Sequence, residues 1–301
     1  MRLACRNDSF PMLPHETILD LVASLEFDAY ELIFIGDRPP VPLSGLRGDV
    51  ARVADELSEQ VAARGLVWSD VFVIPATEFT TMTANHPDPR EREGGRELFR
   101  EMLEFVERVG APGLTMLPGI DWPGESHEES LARSADELAR RASEARERGL
   151  RFSVEPHMGS LLRTPEDAVR LCEMAPGLEL TLDYGHYTAV GVLDGEIEAL
   201  IPHTRHFHAR PAAPGRLQTR LAENTIDFER AIDVLRERGY DDSILIEYLW
   251  ADLDARFDQL DILSETVLLR DRLRAKLAGR AWSYPSFGEF DPTTPAATEP
   301  A

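Results

Sequence analysis

Short apolar runs alternate along this chain with longer amphipathic stretches. The runs cover residues 2–5, 30–35, 66–74, 114–117, 151–154, 179–183, 204–209 and 243–247. Runs of this length, bounded by Gly, Pro and polar loops, predict strands buried on both faces. Between them, apolar residues return at helical spacing. Ile18, Leu21, Val22 and Leu25 mark a helix over 17–25. Val50, Val53, Ala54, Leu57 and Val61 mark another over 49–64, with Gly65 placed to cap it. Further helices are predicted over 92–109, 126–148, 164–175, 192–201, 226–238 and 256–277. Ser126 with Glu129 reads as a capping box. Thr164-Pro165-Glu166-Asp167 supplies a hydroxyl cap, a first-turn proline and acids at the positive helix end. Eight strands alternating with helices predict a single-domain (β/α)₈ TIM barrel over residues 1–282. Residues 283–301 are too poor in apolar side chains to pack and are expected to form a disordered tail.

Composition narrows the partners. The 301 residues are 43% apolar, enough for one large core. Against 32 basic residues stand 54 acidic ones, a net charge of −22, which disfavours nonspecific binding to nucleic acid or anionic membranes. Neither partner is expected; homo-oligomerisation stays open. Cys5 and Cys172 lie far apart in no metal-type spacing, which points to a reducing compartment and no disulfide. No signal-peptide pattern opens the chain, and no apolar run approaches the roughly 20 residues of a membrane helix. A cytoplasmic protein is expected.

Four successive strands end on polar side chains: VEPH on Glu155, LTLDYGH on Asp183, HFHAR on His208 and LIEY on Glu247. The gaps are 28, 25 and 39 residues, against roughly 30 for one strand–helix unit of such a barrel. All four side chains therefore reach the C-terminal mouth, where barrels of this kind carry their sites. One such acid alone is as readily a solvated loop residue as a site residue. Three carboxylates and an imidazole at one mouth repel unless compensated, and they are typical ligands of a divalent cation. The absence of thiolates fits Mn²⁺ first, with Co²⁺, Mg²⁺ or Zn²⁺ as alternatives. His206 shares a strand face with His208 but lies deeper, where a core or supporting role is expected. His186 and His157 are candidates for substrate contact or ligand orientation. Trp122, in the loop after the fourth strand, is a candidate to stack on a sugar-like ring or to pack.

These motifs resemble the sugar phosphate isomerase/epimerase superfamily of xylose-isomerase-like barrels, which includes an AP endonuclease branch. ENTIDF at 223–228 resembles the segment before the seventh helix of those proteins. The resemblance is close in the second half of the chain and architectural in the first. It implies that Glu155, Asp183, His208 and Glu247 bind the metal. It also implies that Glu155 and Glu247 form an acid/base pair on opposite substrate faces, and that His186 touches substrate. Two positions depart from the ketose 3-epimerase pattern. Leu161 stands where those proteins have a second substrate-binding Glu, and Pro214 where they have a substrate Arg. Arg210 and Arg216 are neighbours that could replace the latter. The implied reaction is metal-dependent epimerisation or isomerisation of a sugar or keto-polyol through proton abstraction beside a carbonyl. The alternative is elimination at the same site, as in dehydratases and carbon-glycoside-cleaving relatives, with His157 as proton donor. Phosphodiester hydrolysis is disfavoured by the acidic charge and by the lack of histidine in 211–228.

Overall fold

A computed structural model describes residues 1–250 and 260–285. Eight strands close into a barrel in sequence order, and every neighbouring pair is parallel. They are β1 Arg2–Arg6, β2 Ala29–Ile35, β3 Val67–Ile74, β4 Gly113–Met116, β5 Arg151–Val154, β6 Glu179–Asp183, β7 Thr204–Ala209 and β8 Ser243–Ile246. The helices are α1 His15–Ser24, α2 Leu43–Arg47, α3 Val50–Ala62, α4 Pro89–Val109, α5 His127–Glu147, α6 Pro165–Met174, α7 Tyr184–Thr188, α8 Asp194–Ile197, α9 Phe228–Glu237 and α10 Ile262–Leu277. The expected single-domain TIM barrel is therefore the observed fold.

Side-chain caps explain where the helices begin. Asp49, Asp88, Asp227 and Asp261 each accept a backbone N–H of the first turn, and Ser126–Glu129 and Thr164–Asp167 both form capping boxes. Asp88 starts α4 three residues before the expected position, and Asp227 starts α9 two residues after it. The stretch expected as a helix over 192–201 is one α-turn, α8, followed by a 3₁₀ segment at Glu198–His203. Short helices α2 and α7 were not anticipated. Of the last expected helix, 256–259 lie outside the described residues; the described part begins at Ile262. Most of the expected tail, 286–301, also lies outside them. Cys5 and Cys172 are free and buried. No described helix is long and apolar enough to cross a membrane.

The outer faces of the strands pack the main apolar core against the helices. The barrel interior is more polar than a doubly buried strand predicts. The Arg205 guanidinium meets Asp70 through two bonds of 2.9 and 2.8 Å and also donates to Ser153 and Thr115. Thr181 closes the cluster onto Thr115 and Ser153 at 2.7 Å each. All five side chains are fully buried. A bulge admits Arg205: the β6–β7 register passes from Leu180–Thr204 to Thr181–His206 and skips it. Arg205 and the His206/His208 pair thus both reach the interior. This polar plug is the floor beneath the site.

Candidate metal and active site

Glu155 and Glu247 stand one residue beyond β5 and β8, on the last rung of the ladder. The Glu155 N–H donates to Met116 O and the Glu247 N–H to Ala209 O, both at 3.0 Å. Pro156 follows Glu155 and has no N–H to extend the ladder. Asp183 ends β6 and caps α7, its Oδ1 accepting the Gly185 N–H at 2.7 Å. A Cβ at Gly185 would lie 3.0 Å from that oxygen, so the cap favours glycine there. This turn brings His186 back over the mouth.

The structure gathers Glu155, Asp183, His186, His208 and Glu247 into one buried cluster. His208 Nδ1 is 3.0 Å from Glu155 Oε1 and 2.9 Å from Glu247 Oε2. These three atoms, with His186 Nε2, are buried and lack a hydrogen-bond partner. Unsatisfied polar atoms in a buried site call for an explanation. Adjacent ligands about 2.1 Å from an octahedral divalent ion stand about 3 Å apart, so Glu155, His208 and Glu247 fit such an ion. Asp183 stands at the rim with both oxygens engaged, Oδ1 by Gly185 and Oδ2 by Arg210 Nε at 2.9 Å. Among the described residues, the ligating atoms of Glu155, His208 and Glu247 lie within 4.8 Å of one another, and Asp183 is not part of that group.

A carboxylate from β2 sets the other side of His208. Glu31 Oε2 accepts from His208 Nε2 at 3.2 Å and from His206 Nε2 at 2.6 Å. That pairing leaves His208 Nδ1 facing the acids. Arg6 at the end of β1 joins Asp8, Glu31 and Glu247, the last at 2.7 Å. Arg210 Nη2 also sits on Glu247 Oε1. Burial raises the Glu247 pKa, but Arg210 and Arg6 outweigh it and hold the carboxyl well below its ordinary range. Burial likewise raises the Glu155 pKa, and the adjacent imidazoles of His186 and His208 bring it well below normal. Burial lowers the His208 pKa, yet Glu31, Glu155 and Glu247 together lift it well above its usual value.

A family model described as a xylose isomerase-like TIM barrel matches residues 19–269. The chain belongs to that family. Among curated proteins it is 27% identical to the putative L-ribulose-5-phosphate 3-epimerase UlaE of Shigella dysenteriae serotype 1, over 64% of this chain and 66% of that protein. The chain thus matches just under two thirds of that relative's length. In fold it is similar to the D-psicose 3-epimerase of Clostridium cellulolyticum H10 solved with D-tagatose, with a TM-score of 0.72 and 18% identity over 92% of this chain and 99% of that one. It is also similar to a xylose isomerase-like TIM barrel protein of Mycobacterium smegmatis in complex with magnesium, with a TM-score of 0.70 and 16% identity over 92% and 97%.

In this xylose isomerase-like barrel a pocket of about 440 Å³ opens above the acids, lined in part by Glu155, Glu247, Arg210 and His157. His157 is half-buried. Its Nδ1 meets Met158 O at 2.7 Å, and its ring lies 4.1 Å from His186 and 4.9 Å from Phe79. Burial, then the neighbouring His186, push its pKa down to about 3. Trp122 and Arg216 do not line this pocket. Trp122 Nε1 donates to Asn85 Oδ1 at 3.1 Å and its ring packs on His86, while Arg216 pairs with Glu223 at 2.5 Å. Glu31, Arg6 and Asp8 were missed from sequence. Arg6 follows the same pattern as the later strands, a charged residue closing an apolar run.

Proposed function

We propose that this protein is a divalent-metal-dependent epimerase or isomerase acting on a sugar or keto-polyol. The observation that carries the reading is the pair Glu155 and Glu247, facing each other across His208 Nδ1 with unpartnered oxygens. Kinship with an L-ribulose-5-phosphate 3-epimerase supports it. Glu155, Asp183, His208 and Glu247 would hold the ion, Mn²⁺ in the first instance. Its contribution is Lewis-acid stabilisation of the charge that develops on a carbonyl oxygen when the adjacent carbon loses a proton.

Glu155 and Glu247 serve as the acid/base pair. Glu247 carries two guanidinium groups on Oε1, whereas Glu155 carries none. Glu155 is therefore assigned the first proton abstraction, and Glu247 the return of a proton on the opposite face. His186 accepts the Met158 N–H at Nδ1 (3.1 Å), so its Nε2 bears the hydrogen and offers it to a substrate oxygen between Glu155 and Asp183. Arg210 holds Asp183 and Glu247 in place. His157 stays neutral and closes the wall beside His186.

The test is proton exchange. The metal-loaded protein is incubated in D₂O with a panel of ketoses, inososes and 2-keto acids and followed by NMR. Deuterium beside a carbonyl, abolished by chelator, with an epimer or isomer as product, supports the reading. An enone product assigns the site to elimination instead, and no exchange across the panel counts against the proposed carbon-acid chemistry.

A further inference from the structure

The mouth of the barrel has two chemically opposite halves. Strands β5 to β8 deliver the acids and His208. Strands β2 and β3 deliver an apolar panel at the same level. Side chains two apart on a strand share a face. Glu31 reaches His206 and His208 across the interior, so Ile33 and Ile35 also point inward. Asp70 reaches Arg205 inside, so Phe72 and Ile74 point inward above it. Register places Ile33 beside Phe72 and Ile35 beside Ile74. With Phe79 and Leu117 these residues form an apolar cluster separate from the main core. The Phe72 ring lies 6.3 Å from that of His208, so the panel adjoins the proposed metal ligands.

Two polar groups beside the panel are already engaged, while the exposed Arg38 and Thr77 also line the pocket. Asn7 accepts the Ile33 N–H at 2.8 Å and donates to Ile33 O at 2.9 Å. Asp8 is held by Arg6 through two bonds of 2.5 and 3.1 Å. A sugar hydroxyl laid on the faces of Ile33, Phe72 and Ile74 would give up water and gain no partner from them. An aromatic or aliphatic group would instead bury apolar area. At about 440 Å³ the pocket falls in the range of about 300–1,000 Å³ typical of drug-sized ligands.

We propose that the substrate is amphiphilic. Its carbonyl-bearing polyol head lies against Glu155, His186 and Glu247, and it carries an apolar group of aromatic-ring size that packs on Ile33, Ile35, Phe72, Ile74 and Phe79. This inference rests on the metal-dependent reading of the same site.

The test uses two chelating probes on the Mn²⁺-loaded full chain, acetohydroxamate and 3-phenylpropanohydroxamate, with Kd measured by calorimetry. The first reads the head site alone, and the second adds the ring. The phenyl probe is expected to bind at least about tenfold tighter, since each buried CH₂ alone is worth roughly fourfold. Phe79→Ser and Ile35→Thr, both at half-buried positions that spare the fold, are expected to erase most of that gain while leaving acetohydroxamate binding unchanged. Equal affinity for the two probes, or a gain that survives both substitutions, overturns the inference and leaves the metal reading standing. Failure of both probes to bind the Mn²⁺-loaded chain overturns the metal reading and the inference with it.

Discussion

Glu31 Oε2 lies 3.2 Å from His208 Nε2, so the imidazole that faces the acids is held from behind by a fully buried carboxylate. Carboxylate–histidine pairs of this kind orient the ring and raise its basicity toward a metal. Glu31→Gln removes the charge while keeping the shape. Metal affinity measured by calorimetry is expected to fall about 10–100-fold. An unchanged affinity would show that His208 is oriented by other contacts.

The same geometry sets a pH dependence. The folded pKa of His208 is lifted well above its ordinary value by the surrounding acids, against the effect of burial. Its contribution to the metal-free fold is therefore fully present below the unfolded pKa of about 6.5 and fades as pH rises through the raised folded value. A divalent ion takes the place of that proton, so binding releases it and strengthens with pH. The rise in Tm on adding Mn²⁺ should be larger at about pH 8.5 than at about pH 6. Equal rises at the two pH values would contradict this exchange of proton for metal.

Glu247→Gln retains the volume of the side chain but cannot accept or return a proton. Solvent exchange catalysed by the metal-loaded protein is expected to drop by about 10²–10⁴-fold, the usual weight of a positioned acid or base. Far-ultraviolet circular dichroism checks that the barrel persists. Exchange at the wild-type rate would remove Glu247 from the acid/base pair.

Beneath the site, Asp70 and Arg205 are an ion pair with no exposed surface. Asp70→Ala strands the guanidinium in the barrel interior. A loss of about 3–5 kcal/mol is expected in urea denaturation, the usual cost of breaking a buried pair. Replacing Arg205 by Met as well should recover part of that loss, because no buried charge is left unpaired. A negligible loss for Asp70→Ala would mean that water reaches Arg205.

How much of this was legible in the sequence depended on distance along the chain. Glu155 and Glu247 could be read because each closes its own apolar run, a local pattern that marks a strand end. Asp183 was legible for the same reason, although its capping of α7 was not, since one short helix leaves little periodicity. Glu31 lies inside the run 30–35, and its partners His206 and His208 are 175 and 177 residues away. An acid within an apolar strand was itself a signal, but only the closed barrel shows what it meets. Arg205 was hidden because a bulge is a property of two strands in register. The loop residues were the hardest: Trp122 turns to Asn85 and Arg216 to Glu223, partners that no strand pattern specifies.

The measurement that bears most directly on the account is calorimetric titration of the metal-free full chain with Mn²⁺, beside the variant His208→Ala. One tightly bound ion per chain, lost in the variant, is the result predicted if Glu155, Asp183, His208 and Glu247 form a single metal centre. A wild-type chain that takes up no ion, or a variant that binds as the wild type does, would contradict it.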